Sequence, residues 1–248
     1  MTPHYAHALI VGAGSGLSAS LARLFASKGL AVSLAARDPG KLAALSSETG
    51  AAVHGCDAGD RAAIAGLFAA LDSGPEGAPD VVVYNPSARQ RGPLVTLDPA
   101  QVEAAVQITA LGAFHTAQEA AKRMLPGPAG QGEGPGEALG HGALLFTGAS
   151  AGVKGFPGSA PFAMGKFALR GLAQSLAREL HPRGIHVGHF VIDGGIRDES
   201  RPGRGADPER PDAKLDPDAI ARTYWHFLEQ ERSCWAWEVE LRPWVERF

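Results

Sequence analysis

The chain has 248 residues, 45% hydrophobic and 20% charged, with a formal net charge of −3 and only two cysteines, Cys56 and Cys234, which make neither a disulfide framework nor a zinc spacing. A chain this long buries about three quarters of its unfolded surface without staples. It lacks the basic excess of a nucleic-acid partner, any apolar run near the ~18 residues of a membrane span, and the cationic-then-apolar start of a signal peptide. The expectation is a cytoplasmic protein of one domain over 1–248, with a small-molecule ligand and no nucleic acid, membrane or metal partner.

Short apolar runs alternate with longer stretches of helical spacing. His7 to Val11 predicts a strand running into Gly12, and Ser15 to Lys28 a helix with Leu17, Leu21, Leu24 and Phe25 on one face, closed by Gly29. Ala31 to Ala36 is a second strand. Asp38 followed by Pro39 predicts an N-cap with proline in the first turn, opening a helix through Leu45. A third strand over Ala51 to Cys56, a helix over Asp60 to Leu71 and a fourth strand over Asp80 to Tyr84 follow. Asp98 opens a long helix to about Met124. Then come a fifth strand (Ala143 to Phe146), a helix from Ser159 to Leu180, a sixth strand (Ile185 to Ile192), a helix from Asp216 to Gln230 and a last strand from Trp237 to Leu241. Strands alternating with helices of this length predict an α/β fold of the Rossmann type, a doubly wound parallel sheet with helices on both faces.

Two segments break the pattern. Pro126 to Gly140 is rich in glycine and proline without periodicity and reads as a flexible surface insertion. Ile196 to Lys214 is charged and interrupted by Pro202, Pro208 and Pro211. It follows the sixth strand, where open α/β sheets place ligands, and is either a substrate-side flap or a plain surface loop.

The first strand empties into Gly12-Ala13-Gly14-Ser15-Gly16-Leu17-Ser18. Glycines there allow a tight turn and close backbone approach to a pyrophosphate, and the following helix points free N–H groups and its positive dipole end at the phosphates. The turn, through Gly12, Gly14, Ser15, Gly16 and Leu17, therefore predicts dinucleotide binding. The second strand ends in Ala35-Ala36-Arg37. A carboxylate at this point holds the ribose 2′-hydroxyl of NAD; Arg37 offers a guanidinium suited to a 2′-phosphate instead. NADP(H) is thus the preferred cofactor, with NAD(H) the alternative.

These residues resemble the short-chain dehydrogenase/reductase family over nearly the whole chain. Gly12 and Gly16 match its glycine turn, and Ser18 stands where a third glycine is usual. Asp57, with Ala58 beside it, resembles the family's adenine-contacting aspartate. Asn85-Pro86-Ser87 stands in place of Asn-Ala-Gly, and Asp193-Gly194-Gly195-Ile196 in place of the Pro-Gly-Gly segment near the nicotinamide. The resemblance implies a mostly seven-stranded parallel sheet, a nicotinamide cofactor and carbonyl–alcohol interconversion.

The catalytic constellation departs from that family. Its Tyr-x-x-x-Lys reads Phe162-Ala163-Met164-Gly165-Lys166 here. The resemblance implies that Lys166 binds the nicotinamide ribose and would lower a tyrosine pKa, that Ser150 (less readily Thr147) holds the substrate oxygen, and that Thr109 replaces the asparagine of a proton relay. Phe162 has no hydroxyl to pass a proton. Tyr84 at a strand end, and His115 and His189 among apolar residues, read as packing rather than catalysis. Three functions stay open: an NADP(H)-dependent oxidoreductase with an altered proton-donor site, in which Lys166 is the nearest proton source, an NADP(H)-binding pseudoenzyme or sensor, or a lyase or isomerase using the same scaffold without net redox. Small residues on the helices Asp98–Met124 and Ser159–Leu180, which the family pairs across subunits, predict a homodimer or homotetramer.

Overall fold

The computed structural model describes residues 4–126 and 139–246. Seven strands form one sheet: β1 (His7–Val11), β2 (Ala31–Ala36), β3 (Ala52–Gly55), β4 (Val81–Tyr84), β5 (Gly142–Thr147), β6 (Ile185–Ile192) and β7 (Glu238–Leu241). Their order is β3-β2-β1-β4-β5-β6-β7 and every pairing is parallel. Strands β1, β4, β5 and β6 are buried along their whole length. That is why they read as nearly continuous apolar runs rather than alternating ones, with His7, Thr147, His186 and His189 the buried polar exceptions.

Helices cover both faces. On one side α1 (Leu17–Ser27), α2 (Ala43–Thr49) and α7 (Pro217–Leu228) pack Leu21, Phe25, Leu45, Tyr224 and Phe227 against Ile10, Leu34 and Phe190. On the other, α3 (Arg61–Asp72), α5 (Gly112–Met124) and α6 (Ala160–Leu180) pack Phe68, Ala117 and Leu169 against Leu9, Tyr84 and Phe146. The chain reverses its winding between β1 and β4, so the loops after these strands open a crevice at their carboxyl ends, the usual ligand position of an open α/β sheet. Among the described residues, no helix is long and apolar enough to cross a membrane.

Three sequence expectations are corrected. The long helix from Asp98 is not continuous: α4 (Pro99–Val106) passes into a π-turn over Gln107–Leu111 before α5. The buried Tyr84 hydroxyl donates to the Ile108 carbonyl, and Thr109 Oγ1 accepts from Ala88 N at 3.2 Å. These tertiary bonds engage groups of the widened turn, and the apolar spacing around it carries no trace of them. Second, Asp38 does not cap a helix. Its carboxylate pairs with Lys41 (3.2 Å), and the predicted helix splits into a 3₁₀ turn over Pro39–Leu42 followed by α2. Asp60, Asp98 and Asp216 do cap, each accepting from a backbone N–H two residues on. Third, α1 begins at Leu17 rather than Ser15. Of the insertion expected over 126–140, residues 127–138 lie outside the described residues.

Candidate active site

The turn after β1 is shaped by Gly12, whose φ is +79° and whose Cβ, were it present, would sit 2.7 Å from Pro86 Cγ. Only glycine satisfies both demands. Gly12 N and Ala13 N donate to the Ala35 carbonyl (2.9 and 3.0 Å), tying the turn to β2. Asn85 Nδ2 donates to Ser18 Oγ (2.7 Å), which donates to the Gly12 carbonyl (3.2 Å). Ser18, in the third-glycine position, is thus a buried hydrogen-bonding link as well as a small residue. Gly16 provides no side-chain cap to α1, so the helix presents uncapped N–H groups and positive dipole to the turn.

A carboxylate already lies there. Asp198 Oδ2 accepts from Ser15 Oγ (3.1 Å) and pairs with Arg201 Nε (3.1 Å), while its Oδ1 accepts from Ser200 N (3.1 Å) and Ser200 Oγ (2.6 Å). Burial would raise its pKa, but the hydrogen bonds from Ser200 and Ser15, with Arg201 nearby, outweigh that and hold the carboxyl below the ordinary carboxylate value. The segment 196–214 therefore reaches the glycine turn. Its charged composition marked it as unusual, but the spacing did not single out Asp198.

Arg37 is exposed beyond β2 and, among the described residues, has no carboxylate partner. Asp57 Oδ1 accepts from Gly59 N (2.9 Å) in an Asx turn beside the buried Ala58. The Gly195 carbonyl accepts from Leu215 N (2.8 Å), and Ile196 pairs with Leu215 as a single β-bridge. Asp193, in the proline position, is buried and paired with Lys154 (3.5 Å) and Arg242 (3.4 Å).

At the carboxyl end of β5, α6 presents Phe162 and, one turn on, Lys166. Phe162 packs on Ala149 and Ala151. Lys166 is 2% exposed, and its Nζ donates to the Thr147 carbonyl at 2.6 Å. Among the described residues no carboxylate accompanies it; burial, with the Arg89 charge adding, lowers its pKa to about 7. Gly165 lets α6 close on the π-turn, since a Cβ there would meet Thr109 Cβ at 2.8 Å. Ser150 begins a 3₁₀ turn over Ser150–Gly152, half-buried, and its hydroxyl has no hydrogen-bond partner among the described residues. The structure thus brings Phe162, Lys166 and Thr109 together around α6, and Ser150 heads the turn packed on that helix.

The other candidates are structural. Tyr84 is buried and bonded to the helix backbone, and burial drives its pKa up. Thr147 Oγ1 shares a 2.9 Å hydrogen bond with Tyr224. His189 Nδ1–H donates to Glu238 Oε2 (2.9 Å), and burial brings its pKa down to about 4 despite that partner. His115 lies half-buried on α5 against the Phe114 ring. Sequence reasoning missed Arg89, whose guanidinium stands 4.4 Å from the centre of the Phe162 ring; an arginine four residues after Asn85 has no spacing signature. Among the described residues no group of three or more His, Cys, Asp or Glu side chains could hold a metal.

Known proteins share this fold. Residues 6–197 match the short chain dehydrogenase family. The chain is 29% identical over 201 residues to the cyclic-di-GMP-binding biofilm dispersal mediator protein of Escherichia coli K12, covering 79% of this chain and 76% of that protein. A short-chain dehydrogenase from Rhodopseudomonas palustris superposes with a TM-score of 0.76 at 28% identity, over 98% of this chain and 100% of that one. A metagenomic short-chain oxidoreductase solved in complex with NADP superposes at 0.78 and 24% identity, over 99% of this chain and 100% of that one. With the family model matching 6–197, the chain belongs to the short chain dehydrogenase family.

Proposed function

We propose that the protein is an NADP(H)-dependent oxidoreductase with an altered proton-donor site. The observation that carries this reading is Lys166, a buried cation without a carboxylate, held at the carboxyl end of the sheet one turn beyond Phe162. Burying such a charge is costly, and a scaffold that only folds has no use for it. The residues around the glycine turn fit a dinucleotide: the uncapped start of α1 suits a diphosphate, with Gly14, Ser15, Gly16 and Leu17 along it, and Asn85 and Pro86 bracing Gly12. Asp57 and Ala58 would border the adenine, and Gly195 and Ile196 the nicotinamide. Asp198 must yield or share this anion site with the diphosphate, using Arg201 to offset the added charge.

NADP(H), when bound, supplies hydride to a carbonyl carbon or takes it from an alcohol. Ser150 holds the substrate oxygen with its unengaged hydroxyl. Lys166, near neutrality, is the proton source for the alkoxide, directly or through a water. Its protonated form is the donor, so carbonyl reduction is expected to fall as pH rises through about 7, the value at which Lys166 titrates. The experiment is calorimetric titration of NADPH and NADH followed by NADPH oxidation with a carbonyl panel across pH. The second reading, an NADP(H)-binding protein without turnover, is favoured by Phe162 alone; cofactor binding with no oxidation of NADPH by any carbonyl would establish it.

Arg37 supports the choice of NADP(H). NADPH is expected to bind more tightly than NADH, and Arg37→Glu to remove the preference, costing NADPH a charge-assisted hydrogen bond of about 1.5–3 kcal/mol. Equal affinities for both cofactors in the unmutated protein would refute the assignment.

We also infer a homodimer or homotetramer. Leu111, Phe114, Met164 and Phe167 are all exposed on the π-turn, α5 and α6, and apolar side chains grouped on neighbouring elements mark a partner surface. Light scattering should give a dimer or tetramer mass at micromolar concentration, reduced by Phe167→Glu.

A further inference from the structure

The guanidinium of Arg89 stands over the Phe162 ring, 4.4 Å from its centre, on the side chain that lacks the tyrosine hydroxyl. It is not alone. Arg91, from the same loop, and Arg204, from the segment 196–214, lie close enough that, after burial, their positive charges depress the Arg89 pKa further, and the Arg89 charge in turn bears on Lys166. Among the described residues none of these three arginines has a carboxylate partner, although elsewhere in the molecule Arg23, Arg123 and Arg170 each have one. All three are exposed, so solvent screens their mutual repulsion, but arginines without carboxylate partners on the loops after β4 and β6 form a positive patch suited to an anion from outside. Stacking on an aromatic ring occupies the face of a guanidinium and leaves its in-plane N–H edge free, the geometry that receives a carboxylate through two parallel hydrogen bonds.

We propose that Arg89 determines the substrate class of this site: it takes the carboxylate of an oxo acid, whose carbonyl group then lies toward Ser150 and Lys166. The assignment rests on the oxidoreductase reading above. The carboxylate is held and not consumed. The carbonyl carbon accepts hydride from NADPH, its oxygen accepts a proton by way of Lys166, and the products are the hydroxy acid and NADP⁺. Because Arg89 and Arg91 belong to the loop after β4 and Arg204 to the segment after β6, one anion would bridge both walls of the crevice.

The test compares pyruvate, acetoacetate and levulinate with their methyl esters, and dihydroxyacetone phosphate with dihydroxyacetone. Each is titrated into the protein–NADPH complex and assayed for NADPH oxidation. At least one acid should exceed its ester by about 100-fold in affinity or kcat/KM, the scale of a bidentate charged pair. Arg89→Met should erase that ratio while leaving NADPH affinity unchanged, and Arg89→Lys, which keeps the charge but not the fork, should restore it only in part. Acids and esters behaving alike, or an acid preference surviving in Arg89→Met, would overturn the proposal; a preference for the phosphate over every acid would overturn the carboxylate assignment. Failure to bind NADPH would instead overturn the oxidoreductase reading. The acids and esters are then titrated into the protein alone, where the same ratio and its loss in Arg89→Met still decide the role of Arg89.

Discussion

Phe162→Tyr is expected to raise NADPH-dependent carbonyl reduction by roughly 10²-fold or more, the scale of a positioned general acid. Hydride delivery leaves an alkoxide, and the unmutated site offers it only Lys166, whose Nζ is directed at the Thr147 carbonyl. A tyrosine at 162 adds one oxygen to a ring already packed against Ala149 and Ala151, so the fold should be little affected. The new hydroxyl would have a cation one helical turn away to ease its deprotonation, the free hydroxyl of Ser150 at the start of the neighbouring turn, and the Arg89 guanidinium over its ring. Comparing NADPH oxidation by the two proteins on the same carbonyl panel is the measurement. An unmutated enzyme that is already fast, and that the tyrosine does not improve, would show that another group donates the proton. An inactive variant would show that Thr109, Asp193 and Pro86 mark a site that has drifted beyond repair by one atom.

Lys166→Met should make the protein more stable while impairing its chemistry. In the folded chain burial takes the Lys166 pKa from 10.5 to about 7. The unfolded chain therefore binds more protons between those values, so the stability of the unmutated protein rises with pH across that window and is lowest below about 7. Methionine fills similar space without a charge and forfeits only the bond to the Thr147 carbonyl, a loss of about 1 kcal/mol. The net gain near pH 7 is on the order of 3 kcal/mol, or roughly 10 °C in Tm. It should shrink steadily as pH approaches 10.5, the ordinary lysine value. Thermal unfolding of both proteins across this range checks the prediction. A Tm difference that is negative, or that does not change with pH, would show that Lys166 does not carry a desolvated charge in the native state.

Local chemistry was enough for much of this molecule. The residue pattern located all seven strands within a residue or two: the four buried along their whole length have few polar positions to disguise them, whereas the edge strands β3 and β7 are only partly buried. Asp60, Asp98 and Asp216 announced three helix starts correctly, since capping is a bond to the residue's own neighbours. Gly12 declared a turn that only glycine can make, and Lys166 its place one turn beyond Phe162, because helical register is a local property. What required the folded chain were contacts between residues far apart in sequence. The π-turn exists where Tyr84 and Ala88 bond the backbone carbonyl of Ile108 and the hydroxyl of Thr109, and no periodicity records a bond formed from outside the helix. Asp38 went to Lys41 instead of a cap, a competition that the dipeptide with Pro39 could not disclose. Asp198 reached Ser15 across 183 positions, and Arg89 found Phe162 from another loop. The sequence determined the scaffold and the absence of a hydroxyl at 162. The tertiary structure alone decided which charges surround that absence, because electrostatic and hydrogen-bonding partners are chosen by distance in space.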